Sequence, residues 1–369
     1  MKARHARFGL GCLREADEVL RQFPAKRIFL VTGKHSYTLS GAEKGLAPIL
    51  ATREVERFTL STYLPELDEV LRGVKNFKKG DFDLIIAVGG GAPMDIAKLI
   101  GIFSGQKESV QNLIANPSLF TNRKTPLVTI PTTSGSGAEA THFAVLYINK
   151  NKLSIAHPSI LPDVAIVDPE LTLSLPPRIA ESSGFDALAQ GIESYWSVNA
   201  TKESQKYARE AILLAYRSLA DAVNKKEINA CAALSKAAFL AGKAINISKT
   251  TAPHALSYGL TAHFGIPHGH AVALTLGEFL VHNAASKSLK VQGTIQEICV
   301  LLDAKNAEMA RENLQNLMEK IGLERKLSLL GVKQSDFAFI TENINFERLA
   351  NHPRKVTPEI IGEILMRIA

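Results

Sequence analysis

Three cysteines among 369 residues, Cys12, Cys231 and Cys299, are odd in number, far apart and outside any redox or metal-ligand spacing. That excludes a disulfide framework, and a chain long enough for two ample apolar cores has no need of one. A reducing compartment, the cytoplasm, is the expected setting. No stretch approaches the ~18 successive apolar residues of a membrane span. The stretch from Phe8 to Leu13, which follows Lys2, Arg4 and Arg7, is too short and too glycine-rich for a secretory leader. Charge of one sign is also scarce, because the net +7 comes from basic residues scattered in twos and threes among acidic ones. Without an aromatic-basic motif this pattern speaks against nucleic acid; it suits an anionic small molecule, or plain surface solvation. Internal repeats and linker-length low-complexity runs are missing too, so two closely packed domains with a cleft between them are expected.

What is present begins as an alternation of short β-rich runs and helical patterns. Arg27–Thr32, Arg57–Leu60, Leu84–Val88 and Leu127–Ile130 read as buried strands, separated by helical segments such as Glu66–Asn76 and Met94–Phe103. That rhythm predicts a doubly wound, Rossmann-like parallel sheet. A hairpin is expected from Phe143–Ile148 and Leu153–Ala156 around the polar turn Asn149–Lys152, then a last strand at Val164–Val167. From about Ile179 the chain becomes Ala/Leu-rich with helical periodicity, which predicts an α/β domain over 1–178 and an all-α domain over 179–369.

The run Leu84–Val88 leads into Gly89-Gly90-Gly91-Ala92-Pro93-Met94-Asp95-Ile96-Ala97-Lys98. Glycines there let backbone approach a pyrophosphate, and the N-terminus of the following helix favours negative charge. The plain alternative is a tight strand-to-helix turn, with Asp95 placed for the helix dipole and Lys98 on the surface. A second loop with Thr132, Thr133 and Ser134 also follows a strand, and two such loops at strand C-terminal ends favour a bound nucleotide.

In the helical half, Asp186 and Gln190 are four residues apart and share one helix face in a largely apolar stretch, where a carboxylate needs a partner. Pro253-His254 and Gly265-Ile266-Pro267-His268-Gly269-His270 add histidines in apolar, Gly/Pro-punctuated surroundings. Taken singly, each is more often a satisfied core or capping group than a ligand. As a set, Gly89–Gly91 with Asp95 and Lys98, Pro131–Gly135, Asp186 with Glu193-Ser194, His254, and Ile266–Gly269 fall in the order found in the iron-containing alcohol dehydrogenases, which this chain resembles over both halves.

The resemblance implies a dehydroquinate synthase-like architecture, a nicotinamide cofactor, a small aldehyde or alcohol as substrate, and a homodimer. It also implies one divalent metal, Fe²⁺ or Zn²⁺, held by Asp186, His254 and His268. Where relatives usually carry a further histidine, this chain has Gln190, a weaker and harder donor that serves as fourth ligand or as partner to the others. Tyr258 stands where many relatives have another histidine, and it, His270 or water is expected to deliver the proton. After the first strand, Gly33, Lys34, His35 and Ser36 replace the acid that holds the adenine ribose in NAD-preferring relatives, which favours NADPH with NADH allowed. Ser248, Lys249, Thr250 and Thr251, just before His254, offer one cation and three hydroxyls suited to an oxyanion. Together with the resemblance of these segments to the phosphonoacetaldehyde-reducing branch, they suggest a phosphonate-bearing aldehyde, with Lys249 and His270 near its anion. The alternatives are an uncharged short-chain or polyol-derived substrate, a dehydroquinate synthase-like lyase that recycles its hydride, and a binding protein with a decayed metal site.

Overall fold

The structure, a computed structural model, describes residues 6–344 and 346–369, so Lys2 and Arg4 lie outside the described residues. The chain divides into two compact units between Leu175 and Pro176. The first contains β1 (Ala6–Phe8), β2 (Arg27–Thr32), β3 (Glu54–Thr59), β4 (Leu84–Gly89), β5 (Leu127–Pro131), β6 (Phe143–Ile148), β7 (Asn151–Ala156) and β8 (Val164–Val167). Six of these form one all-parallel sheet in the order β1-β8-β5-β4-β2-β3.

The near-continuous apolar runs of β2 and β4 follow from burial on both faces. Phe29, Val31, Ile85 and Ala87 face one core with Ile96, Ile100 and Phe103 of the helix Gly91–Ser104. Ile28, Leu30, Ile86 and Val88 face the other core with Val19, Leu20 and Leu46. Each such side chain contributes roughly 1.5–3 kcal/mol on burial, so the sheet is fixed from both sides, as a doubly wound sheet requires.

Three elements differ from expectation. The strand expected over Arg57–Leu60 starts earlier, at Glu54, because β3 lies at the sheet edge, where exposed charged residues replace an apolar run. β1 is an additional edge strand on β8, too short to carry a periodic signal. The hairpin turn is tighter than the four residues expected: β7 begins at Asn151, and only Asn149 and Lys150 form the turn, with φ of 49° and 66°. Two successive left-handed residues match the twist of the flanking strands in a two-residue hairpin.

The second unit is helical. Its main helices are Pro177–Trp196, Lys202–Asn224, Ile228–Ser248, Ala252–Phe264, His268–Ala284, Leu289–Leu301 and Ala307–Lys320. Pro177–Trp196 is buried on all sides from Gly184 to Trp196, the mark of a central helix. Lys202–Asn224 starts on a capping box between Thr201 and Ser204. The 21-residue helix Ile228–Ser248 is, by length and mean composition, apolar enough to cross a membrane, although Asn229, Ser235, Lys236, Lys243 and Asn246 interrupt it and no long run of successive apolar residues occurs in it. Most of it is buried, packed against Lys202–Asn224 and Pro177–Trp196, so its apolarity belongs to the core of this unit.

Candidate functional site

Three elements of the helical unit bring Asp186, His254 and His268 together, with one ligand atom of each within 4.8 Å of the others. Asp186 sits in the middle of the central helix, and His254 enters the first turn of Ala252–Phe264 behind Pro253. His268 opens the helix His268–Ala284, which follows a left-handed Gly265. Gly269 makes the approach possible: a Cβ there would lie 1.9 Å from the carbonyl oxygen of Ser182 and 2.9 Å from Cβ of Asp186. Any side chain would push the His268 helix away from Asp186.

Partners of the imidazoles set their orientation. Glu193, on the same helix face as Asp186 and Gln190 and fully buried, accepts from the backbone N–H of Thr251 (2.9 Å) and from its hydroxyl (2.9 Å). Its other oxygen pairs with Nδ1 of His254, leaving Nε2 of that ring 3.2 Å from Oδ1 of Asp186. Burial alone would lower the His254 pKa, but the Glu193 and Asp186 carboxylates outweigh it and raise it to about 9. Two carboxylates converging on one buried imidazole make a pocket that favours positive charge.

The donor set fits a divalent cation. One carboxylate oxygen and two imidazole nitrogens suit Fe²⁺ or Zn²⁺, and three protein ligands leave positions open. Gln190 donates its amide N–H to Oδ2 of Asp186 at 2.9 Å, so in this arrangement its nitrogen meets the carboxylate. Tyr258 stacks on His268 with ring centroids 6.0 Å apart and 22° between planes.

Other expected residues take different places. His270 has its Nε2 2.7 Å from the carbonyl of Glu324, and burial lowers its pKa. A neutral imidazole engaged with a carbonyl is poorly suited to the proton delivery and anion contact expected of it. The hydroxyls of Ser248 and Thr251, expected to meet an oxyanion, are turned inward: Ser248 Oγ is 2.7 Å from Ser194 Oγ, and Thr251 accepts from the Trp196 indole at 2.9 Å besides binding Glu193. Both are buried, so they build the segment instead. Lys249 remains exposed, with a backbone at φ 61° and ψ 175° that residues other than glycine rarely adopt. Ser197 and Asn351 hold this turn through the carbonyls of Ser248 (2.9 Å) and Thr250 (3.3 Å).

In the first unit, the expected nucleotide residues gather at the C-terminal ends of β2, β4 and β5. Added Cβ atoms measure the proximity of these turns: at Gly33 one would lie 3.6 Å from Pro93, at Gly90 3.2 Å from Thr133, and at Gly91 3.2 Å from Ser136. Gly89 has φ 149°, and its Cβ would strike Pro93 at 2.7 Å, so only glycine fits this turn. The Thr132 N–H donates to the Gly89 carbonyl at 2.9 Å, joining the two loops, and its buried hydroxyl has no partner among the described residues. Ser134 is buried in the same loop, while Lys34 is exposed just after β2. Glycine turns, an open hydroxyl and a helix N-terminus at adjacent strand ends fit a nucleotide phosphate.

Asp95 and Lys98 depart from the expectation that they touch this cofactor. Lys98 is fully buried, bonding Thr141 Oγ1 (2.8 Å) and the Phe143 carbonyl (3.0 Å), with Asp95 at 3.6 Å. Asp95 accepts from the Val145 N–H at 3.1 Å. The pair fastens the glycine-turn helix to β6. Burial also raises the nearby Glu139 carboxyl to about 7.

A parallel-sheet unit with glycine turns at its strand ends, followed by a helical unit with a carboxylate–imidazole cluster able to hold a cation, is the arrangement of the dehydroquinate synthase-like, iron-containing alcohol dehydrogenase architecture. Residues 3–169 match the family model of iron-containing alcohol dehydrogenase, and residues 180–369 that of the C-terminal part of the Fe-containing alcohol dehydrogenase family. The chain belongs to the iron-containing alcohol dehydrogenase family and is an oxidoreductase of it. It is 30% identical over 347 residues to long-chain-alcohol dehydrogenase 1 of Geobacillus thermodenitrificans, covering 91% of this chain and 87% of that protein. Phosphonoacetaldehyde reductase of Streptomyces viridochromogenes is 33% identical over 302 residues, covering 77% of this chain and 75% of that one. Among solved structures, sulfoacetaldehyde reductase from Bifidobacterium kashiwanohense in complex with NAD⁺ superposes with a TM-score of 0.91 at 28% identity, covering 100% and 97% of the two chains.

Glu193, Ser257 and Gly269 had no assigned role on sequence grounds. For Glu193 a signal existed: it lies seven residues after Asp186, two helical turns along the same face.

Proposed function

We propose that this protein is a metal-dependent, nicotinamide-linked aldehyde reductase whose substrate is a short aldehyde carrying an oxyanion, phosphonoacetaldehyde being the first candidate and 2-hydroxyethylphosphonate its product. The observation that carries the reading is the convergence of Asp186, His254 and His268. These three would hold the ion, Fe²⁺ or Zn²⁺, with Gln190 orienting Asp186 through its amide. When bound, the metal supplies a Lewis acid for the carbonyl oxygen and the reduced nicotinamide supplies a hydride. The residues do the rest. Glu193 keeps the proton of His254 on Nδ1, and Tyr258, packed on His268, is the side chain proposed to pass a proton to the product oxygen. The cofactor phosphates are assigned to Gly89, Gly90, Gly91, Thr132, Thr133 and Ser134. Three buried cysteines without a disulfide suit the cytoplasmic setting proposed for it.

The substrate class is supported by two relatives whose names specify short aldehydes with a tetrahedral oxyanion, a phosphonate in one and a sulfonate in the other. Lys249, exposed, five residues before His254 in sequence and with a strained backbone, is the cation proposed to meet that anion. With purified, metal-loaded enzyme, kcat/KM for phosphonoacetaldehyde is expected to exceed that for propionaldehyde by about tenfold or more, the worth of one charge-assisted hydrogen bond. Lys249→Ala should erase most of that advantage while leaving propionaldehyde unaffected. Equal kcat/KM for the two aldehydes in the wild type would overturn the substrate, and an undiminished advantage in the variant would overturn the role of Lys249. The second reading, an uncharged alcohol or aldehyde, is favoured by the relative named for long-chain alcohols.

For the cofactor, Lys34 and Ser36 beside Gly33 favour NADPH, with NADH also accepted. Lys34→Ala is expected to lower the NADPH/NADH ratio of kcat/KM about tenfold, as loss of one hydrogen bond between charged groups would. An unchanged ratio removes Lys34 from the site, and a clear NADH preference in the wild type overturns the NADPH assignment.

A further inference from the structure

Ser257 lies on the helix Ala252–Phe264, one turn after His254, and is fully buried. Its Oγ is 2.8 Å from the carbonyl oxygen of His254 and 3.2 Å from Nδ1 of His268. A hydroxyl has one hydrogen and a carbonyl can only accept, so the hydrogen of Ser257 goes to His254. The remaining contact is satisfied when Nδ1 of His268 donates to Oγ. A single hydroxyl thus ties the ring of His268 to the backbone of His254.

We propose that Ser257 is a positioning residue that fixes the proton of His268 on Nδ1, so that Nε2 is the nitrogen presented to the cation. The inference rests on the metal reading above and extends it. Both imidazoles are then held alike, His254 by Glu193 and His268 by Ser257, each through Nδ1. They are held by unequal partners, however. A carboxylate makes His254 the more basic donor, whereas a neutral hydroxyl makes His268 the weaker one. Ser257 Oγ would therefore tune the weaker of the two imidazole donors. Tyr258, the next residue, covers the face of the same ring, so two successive side chains of one helix fix the orientation of His268 and its proton.

The test compares wild type, Ser257→Ala and Ser257→Thr in two measurements. Zinc affinity is determined by competition with a chromophoric chelator. Ser257→Ala is expected to lose about 10- to 100-fold, the range for outer-shell partners of a ligating histidine, and Ser257→Thr, which keeps a hydroxyl, to recover most of it. Long-range ¹H–¹⁵N correlation spectra of the histidine rings, with His268 assigned by its absence in His268→Ala, are expected to show the wild-type zinc form with Nδ1 protonated. A proton on Nε2 of His268 in that form, or a Ser257→Ala affinity within twofold of wild type, overturns the proposal. If the wild type takes up no zinc, the metal reading itself fails, and the zinc-free spectrum still decides whether Nδ1 of His268 carries the proton.

Discussion

Replacing His268 by alanine is expected to remove bound metal and aldehyde reduction together. The three proposed ligands come from three helices, so the loss of one leaves only Asp186 and His254, beside the amide of Gln190. The fall in affinity should exceed the ~10- to 100-fold typical of losing an outer-shell partner, and turnover should drop to background. The fold should survive, because His268 is only half-buried at the start of its helix, and such positions usually change stability by less than ~1 kcal/mol. Metal analysis of the purified variant, with a thermal melt in the presence of chelator as the control for folding, checks both points. Full occupancy in His268→Ala would refute the assignment.

Glu193→Gln carries the second large effect. The amide oxygen of glutamine can keep the contacts of Thr251, but its NH₂ would then face Nδ1–H of His254, donor against donor. His254 escapes by keeping its proton on Nε2, where it donates to Asp186, which removes the lone pair that Nε2 would offer the cation. Metal affinity should therefore fall about 10- to 100-fold, and replacing the charge-assisted Glu193–His254 pair by a neutral one in a fully buried network should cost roughly 1–3 kcal/mol of stability. Chelator competition and denaturant unfolding of metal-free protein measure the two separately. A variant that keeps wild-type affinity would show that Glu193 does not set the orientation of His254.

How much of this was legible beforehand follows from where each signal resides. β2, β4, β5 and β8 could be read because strands buried on both faces have unbroken apolar runs, whereas the charged edge strand β3 was only half seen and the three-residue β1 not at all. The glycine turns and the Asp186/Gln190 pair are local patterns fixed by strand-to-helix geometry and helix spacing. Lys98 was misplaced because a lysine just after the glycine turns reads as a cofactor contact until the tertiary structure surrounds it with Thr141, Phe143 and Asp95. Gly269 and Ser257 belong to a third kind. Their roles depend on contacts across helices, Gly269 with Ser182 and Ser257 with His268, which no periodicity encodes. The segment before His254 shows the same limit: its hydroxyls had suitable chemistry for an anion, but only packing reveals that Ser248 and Thr251 are turned toward Ser194, Trp196 and Glu193.

The central claim is that the helical unit holds one divalent cation on Asp186, His254 and His268 and that this ion is needed for net reduction of an aldehyde by a nicotinamide. The most direct measurement strips the protein with chelator, restores one equivalent of Fe²⁺ or Zn²⁺, and follows the reduced-nicotinamide absorbance band on addition of phosphonoacetaldehyde while the alcohol is quantified. The account expects no turnover in the stripped protein, recovery that saturates at one ion per chain, and one nicotinamide oxidised per alcohol formed. Turnover that is unaffected by stripping, or aldehyde consumed with no net change in the nicotinamide band, would contradict it.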